Sequence, residues 1–220
     1  LKEGYRLGEA LAHLESLVKE HLPSEAIIDY RGQSRDFKYS GNSVWFVFIL
    51  GVLVVFLVLA AQFESYIHPF VIMLTVPLAM GGGLLGLYLF GYSINIYSQI
   101  GLIMLVGLSA KNGILIVEFA NQLRDQGVEF QQALIEAATT RFRPIIMTGL
   151  TTIAGSIPLI LSSGAGSETR VVIGVVIFTG VIAATLFTLV IVPVAYQMFA
   201  KYTGSPGDVA RKIEDYSADK

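Results

Sequence analysis

Five apolar stretches of bilayer-crossing length dominate this sequence, at roughly residues 44–63, 69–90, 97–120, 144–162 and 171–199. A helix needs about 20 apolar residues to cross the ~30 Å hydrocarbon core. In lipid every backbone N–H and C=O must be paired within the protein, so stretches of this length admit helices and little else. The links are short and rich in turn formers: Glu64–Pro69, Gly91–Ile96, and Ser162–Arg170 with its Gly-Ala-Gly. The expected fold is an all-α membrane protein, a bundle of five transmembrane helices over residues 44–200.

Composition agrees. The chain is 54% hydrophobic and 15% charged, whereas soluble domains carry about 25% charged residues. A formal net charge of -2 leaves no basic footprint for nucleic acid. Cys is absent, which excludes disulfides and thiolate metal sites. His13, His21 and His68 do not cluster with carboxylates at metal-ligand spacing. There is no phosphate-binding Gly loop, no HExxH, and no nucleophile–base pair at mid-membrane depth, so no enzyme is expected. Ser109, two residues from Lys111, points to another side of the same helix.

Residues 1–43 are polar and mixed. Leu7, Leu11, Leu14, Val18 and Leu22 fall at helical spacing ahead of Pro23, which predicts an amphipathic helix. Ala26–Tyr30 is a strand candidate, and a loop is expected from Gly32 through Asn42. Together they read as a short α/β remnant, the end of a larger soluble domain. The chain starts at Leu1 without a signal peptide, so it reads as a piece of a longer polypeptide. The long link Asn121–Arg143 mixes charges with Val128, Ala133, Leu134 and Ala137, and an interfacial amphipathic helix is expected there. The tail, residues 201–220, opens with a Gly-Ser-Pro-Gly stretch and is expected to be disordered.

Five crossings place the two ends on opposite sides. Arg124, Arg141 and Arg143 in the long link join Lys201, Arg211, Lys212 and Lys220 of the tail on one face, predicted cytoplasmic by the positive-inside rule. Glycines crowd the spans: Gly81, Gly82, Gly83 and Gly86 in the second, Gly149 and Gly155 in the fourth, Gly174 and Gly180 in the fifth. Small residues let backbones approach where no hydrophobic effect drives packing. Pro77 and Pro158 are expected to kink their helices.

One residue resists the lipid reading. Lys111 lies near the middle of the third span, in Leu108-Ser109-Ala110-Lys111-Asn112-Gly113. A mid-bilayer charge costs at least ~2.5–3.5 kcal/mol on insertion scales, so it persists mainly where a partner and a use offset it. Glu118 is about 10 Å further along the helix, and helical side chains lean toward the N-terminus, so the two should not pair. No other carboxylate of these spans sits at mid-depth, and an acidic partner on a helix outside this chain is expected. A proton or ion relay is one use for such a pair; a lysine that snorkels or meets backbone carbonyls is the plain alternative. By composition Arg141 and Arg143 are interfacial anchors ahead of Pro144, read as the opening residue of the fourth span. Thr148 reads as a packing residue bonded to its own backbone.

The run from Gly107 to Ala120 closely resembles the tenth transmembrane helix of RND (resistance–nodulation–division) multidrug efflux pumps, in their hydrophobe/amphiphile branch. Arg141-Phe142-Arg143-Pro144-Ile145-Ile146-Met147-Thr148 resembles the opening of the eleventh helix, Ser163–Ser167 the periplasmic loop after it, and Leu59–Tyr66 the end of the eighth. The resemblance covers essentially the whole chain. It implies the last five helices of a twelve-helix subunit, preceded by the end of a periplasmic porter domain at residues 1–43.

The resemblance also implies a function. Lys111 matches the relay lysine that interacts with two aspartates on the fourth helix, Arg141 the relay arginine and Thr148 the relay threonine; Asn112 lies beside the lysine. Protons are then the coupling ion and no cofactor is needed. The implied partners are the N-terminal half of the same subunit, a homotrimer, a periplasmic adaptor protein, an outer-membrane channel, the lipid bilayer and drug-like amphiphiles. The implied location is the bacterial inner membrane, with the N-terminal segment periplasmic and the C-terminus cytoplasmic. The Ala-Lys-Asn segment favours drug export over metal export and speaks against a sterol- or lipid-sensing bundle. A truncated accessory membrane protein with no transport of its own is the alternative.

Overall fold

A computed structural model describes residues 7–23 and 27–200. They form α1 (Leu7–His21), α2 (Gln33–Phe63), α3 (Ile67–Met73), α4 (Thr75–Leu89), α5 (Ile96–Asp125), α6 (Phe130–Ile160) and α7 (Ser167–Phe199). With α3 and α4 taken as one passage, five helical segments are long and apolar enough to cross a membrane. The tail expected to be disordered and to carry Lys201, Arg211, Lys212 and Lys220 lies outside the described residues.

Helix ends follow local chemistry. Asn95 caps α5: its side-chain oxygen accepts from the Ser98 N–H at 2.9 Å, and Ser98 Oγ accepts from the Asn95 N–H at 2.8 Å. That reciprocal pair satisfies orphan donors and fixes where the helix begins. At the other end Gly127 takes φ 89°, and the Val128 N–H reaches back to the Leu123 carbonyl at 3.1 Å. A left-handed glycine closing such a bond is a common helix stop. The break between α3 and α4 falls at Leu74. Pro77 accounts for it, because a proline cannot donate to the carbonyl four residues earlier, on Met73.

Three expectations need correction. No strand forms at 27–30 among the described residues, and Ile27 is 94% exposed; Ala26 lies outside them. A lone strand would leave its backbone groups without a ladder, and no second strand is available among the described residues. Where it is described, the expected α/β remnant is a helix, α1, and irregular chain, with no strand. The loop expected from Gly32 to Asn42 is instead the start of α2, entered through Gly32 at φ 59°. No proline interrupts Gln33–Trp45, so the helix nucleated by the apolar run propagates back through it. Finally, Pro144 lies inside α6, not at its opening. The Asn121–Arg143 link is divided between the last turns of α5 and the first half of α6, with only residues 126–129 between them. A proline inside a membrane helix is tolerated because neighbouring groups can take up the carbonyl it leaves free.

Helix α7 is the centre of the bundle, packed by α4, α5 and α6. Its seam with α4 is made by small residues: Gly82 sits against Ala183 and Gly86 against Thr179, so closely that a Cβ at either would collide. On α5, Leu105 fills the space over Gly180, and Gly101 lies on Val176. Helix α2 is peripheral. Only 11% of its Phe46–Phe63 stretch is buried, against half of α7.

Candidate proton-relay face and a buried polar hub

Helix α5 is divided lengthwise. Leu105, Val106, Ser109, Asn112, Gly113, Ile116, Val117 and Ala120 are buried against the other helices. Ile100, Met104, Gly107 and Lys111 fall at helical spacing on a face that is exposed. Lys111 thus points away from the bundle while Asn112, next in sequence, points into it. Ser109 is fully buried and its hydroxyl donates to the Val106 carbonyl at 3.1 Å, which separates it from Lys111 as the helical spacing requires.

Among the described residues no carboxylate pairs with Lys111. Glu118 is half-buried and accepts from Gln122 Nε2 at 3.3 Å instead. Arg141 is half-buried on α6; its guanidinium lies 4.6 Å from the centre of the Phe119 ring of α5, with Nε buried and without a hydrogen-bond partner. Thr148, also on α6, donates to the Ile145 carbonyl at 3.1 Å, and its own carbonyl accepts from Thr152 at 2.8 Å.

These contacts set depths. Consecutive helices α5 and α6 run antiparallel and meet where Phe119 touches Arg141. Counting back to Lys111 covers eight residues, about 12 Å of rise, and counting on to Thr148 covers seven, about 10 Å. Lys111, Asn112 and Thr148 therefore share one level of the bundle, with Arg141 nearer the α5–α6 turn. No described bond joins Lys111 directly to Arg141 or Thr148.

A second polar site was not foreseen. Tyr196, near the end of α7, is fully buried. Its hydroxyl donates to Asn121 Oδ1 at 2.6 Å, accepts from Arg124 Nη1 at 3.0 Å, and lies 3.5 Å from His68 Nε2. The Tyr196 ring is stacked between His68, with centroids 5.6 Å apart, and Phe130, 5.5 Å apart. The Arg124 guanidinium lies 5.1 Å over the Phe130 ring, and Phe63 tilts against His68. The ends of α2, α5 and α7 and the starts of α3 and α6 all meet here. His68 and Tyr196 are 128 residues apart in sequence, so spacing gave no signal; the one clue was a histidine inside an apolar run.

Comparison with known proteins places the chain. The family model described as AcrB/AcrD/AcrF matches residues 1–200. The toluene efflux pump membrane transporter TtgB of Pseudomonas putida is 43% identical over 202 residues, covering 92% of this chain and 19% of that protein. An uncharacterized transporter of Haemophilus influenzae is 42% identical over 204 residues, 90% of this chain and 20% of the other. The multidrug resistance protein MdtC of Erwinia amylovora is 36% identical over 208 residues, 94% of this chain and 20% of the other. The chain spans about one fifth of the length of these curated relatives. With five bilayer-length helices and a family match across nearly its whole length, the chain belongs to the AcrB/AcrD/AcrF family of RND efflux transporters.

Proposed function

We propose that this chain contributes the Lys/Arg/Thr side of the proton relay in a proton-driven drug/proton antiporter. The observation that carries the reading is Lys111, exposed at mid-span on the bare face of α5. A lysine in that position is expensive against lipid, so the face calls for another protein element carrying acidic groups. The names of TtgB and MdtC, a toluene efflux pump and a multidrug resistance protein, support export of drugs and amphiphiles from a Gram-negative envelope.

The proposed cycle is electrostatic. A buried carboxylate pair resists ionisation unless a cation stabilises it. Lys111 stabilises the deprotonated pair and is released when a proton neutralises it. Release biases a bistable packing of helices, which is coupled to the drug site elsewhere in the subunit. Asn112 and Thr148 lie at the level of Lys111, and Arg141 holds the end of the relay nearer the α5–α6 turn. In this reading the chain sits in the inner membrane with its N-terminal segment periplasmic and its C-terminus cytoplasmic. It works with the N-terminal half of the subunit in a homotrimer, with a periplasmic adaptor and an outer-membrane channel.

The test is Lys111→Ala in the complete polypeptide that carries these residues. Drug efflux is expected to disappear while the protein still assembles in the membrane. Near-normal resistance at matched expression would overturn the relay.

A further inference from the structure

The relay needs α5 at a defined height. In the first half of the helix that height is set by shape, with Leu105 fitted over Gly180 and Gly101 lying on Val176. Nearer its end, polar ties are added. Hydrogen bonds are directional and hold a helix at one axial position. Among the described residues, the side-chain hydrogen bonds between spanning helices gather at the Tyr196 end of the bundle.

We infer that Tyr196 is a positioning residue for transport: its hydroxyl, joined to Asn121 and Arg124 and set against His68, fixes the axial register of the helix that carries Lys111. The inference rests on the relay reading of Lys111 above. Stacking between His68 and Phe130 requires only an aromatic ring, and phenylalanine would supply it; the hydroxyl adds the polar ties. The bond from Arg124 is charge-assisted, the stronger kind. Helix α5 is continuous from Ile96 to Asp125, so it carries a displacement at Asn121 to Lys111, ten residues and about 15 Å away. Shifts of about 1–2 Å are the scale on which packed helices switch, and a slip of that size would move Lys111 relative to its carboxylates.

The experiment compares Tyr196→Phe, Asn121→Ala and Asn121→Asp with the unaltered complete transporter in proteoliposomes. Uptake of ethidium, an amphiphilic cation, is measured under an imposed proton gradient. Tyr196→Phe and Asn121→Ala are expected to lower the maximal rate per folded molecule about tenfold, with KM for ethidium unchanged. Asn121→Asp keeps an acceptor for the hydroxyl and is expected to restore the rate to within about twofold. The double variant Tyr196→Phe/Asn121→Ala should be no slower than either single, because both remove the same bond. A normal rate per folded molecule in Tyr196→Phe and Asn121→Ala would overturn the inference, as would loss confined to the amount of folded protein. If Tyr196→Phe fails to fold, the Asn121→Ala and Asn121→Asp pair decides alone. Lys111→Ala, run alongside, separates the two ideas. Loss in Lys111→Ala with normal hub variants sinks only the positioning role; normal transport by Lys111→Ala sinks the relay itself.

Discussion

Lys111 sits midway along α5 on a face that the other helices leave bare, whereas Tyr196, near the end of α7, is fully buried with polar groups of α3 and α5 around its hydroxyl. Both are polar side chains on apolar helices, and the bundle handles them in opposite ways. The partners of Tyr196 lie within the chain, so burial strengthens their bonds by removing competing water. Lys111 has no acidic partner among the described residues, and burying it here would cost far more than leaving it on the open face. In the proposed relay the uncovered cation marks the face another element would cover, whereas the polar cluster at Tyr196 is closed within the chain.

The sharpest way to break that contrast is to make Lys111 apolar. Lys111→Leu is expected to abolish transport by the complete protein without weakening the packing of α4–α7, since the side chain is exposed on the face that those helices leave bare. Thermal unfolding in detergent should give an unchanged or higher Tm. A clear fall in Tm would mean that Lys111 supports the fold as Tyr196 does, and the two sites would no longer differ in kind.

Tyr196→Ala tests the other side. It removes a large buried ring and strips Asn121 and Arg124 of their shared partner. Truncating a buried aromatic costs about 3–5 kcal/mol, and the polar groups left behind add to that. Equilibrium unfolding in mixed detergent should show a loss of at least that size. A change below about 1 kcal/mol would mean that the end of the bundle is held by something else.

The α4–α7 seam should respond less. Gly82→Ala places a methyl against Ala183 and the Thr179 backbone, and overpacking of this kind costs about 1–3 kcal/mol. Gly81, one residue earlier, has open space where its Cβ would be. Gly81→Ala should be neutral or slightly stabilising, since alanine is the better helix former. Equal effects at the two positions would show that glycine is used for flexibility along α4, not for close approach.

How much of this was legible follows from the range of the forces involved. The spans were legible because lipid demands long apolar runs; the Asn95–Ser98 pair that starts α5 became visible only in the structure. Lys111 could be singled out because its cost depends only on depth. The extension of α2 through 33–43 was not legible. Polar residues there mimic a loop, and their helicity comes from propagation out of the apolar segment. The course of α6 through Pro144 was missed for a related reason: proline stops helices in water more strictly than in a packed membrane bundle. The Tyr196 hub was illegible because it joins residues far apart in sequence that carry no spacing rule.

The mildest effect is expected away from the five spans, where α1 is tied to the first turns of α2. Lys38 Nζ lies 2.6 Å from Glu15 Oε1 and 5.6 Å from the Tyr30 ring centre, and Tyr30 donates to Glu15 as well. The hydrogen bond from Lys38, then that from Tyr30, holds the Glu15 carboxyl below its usual 4.5, and the bond to Glu15 raises Lys38 above 10.5. For Glu15, whose folded value is depressed, the contribution is complete above 4.5 and is lost as pH falls through the folded value. For Lys38, whose folded value is raised, it is complete below 10.5 and is lost as pH rises through the folded value. The clasp is therefore intact across the neutral range and releases only at the extremes. Because it lies at the surface, with Lys38 exposed and Glu15 half-buried, salt should weaken it. Amide exchange along α1 measures it: Glu15→Gln should speed exchange at neutral pH and leave α5 protection unchanged. If α1 exchanges equally fast in both proteins, the ion pair adds nothing to what Leu11 already holds by burial, and α1 is positioned by its apolar face alone.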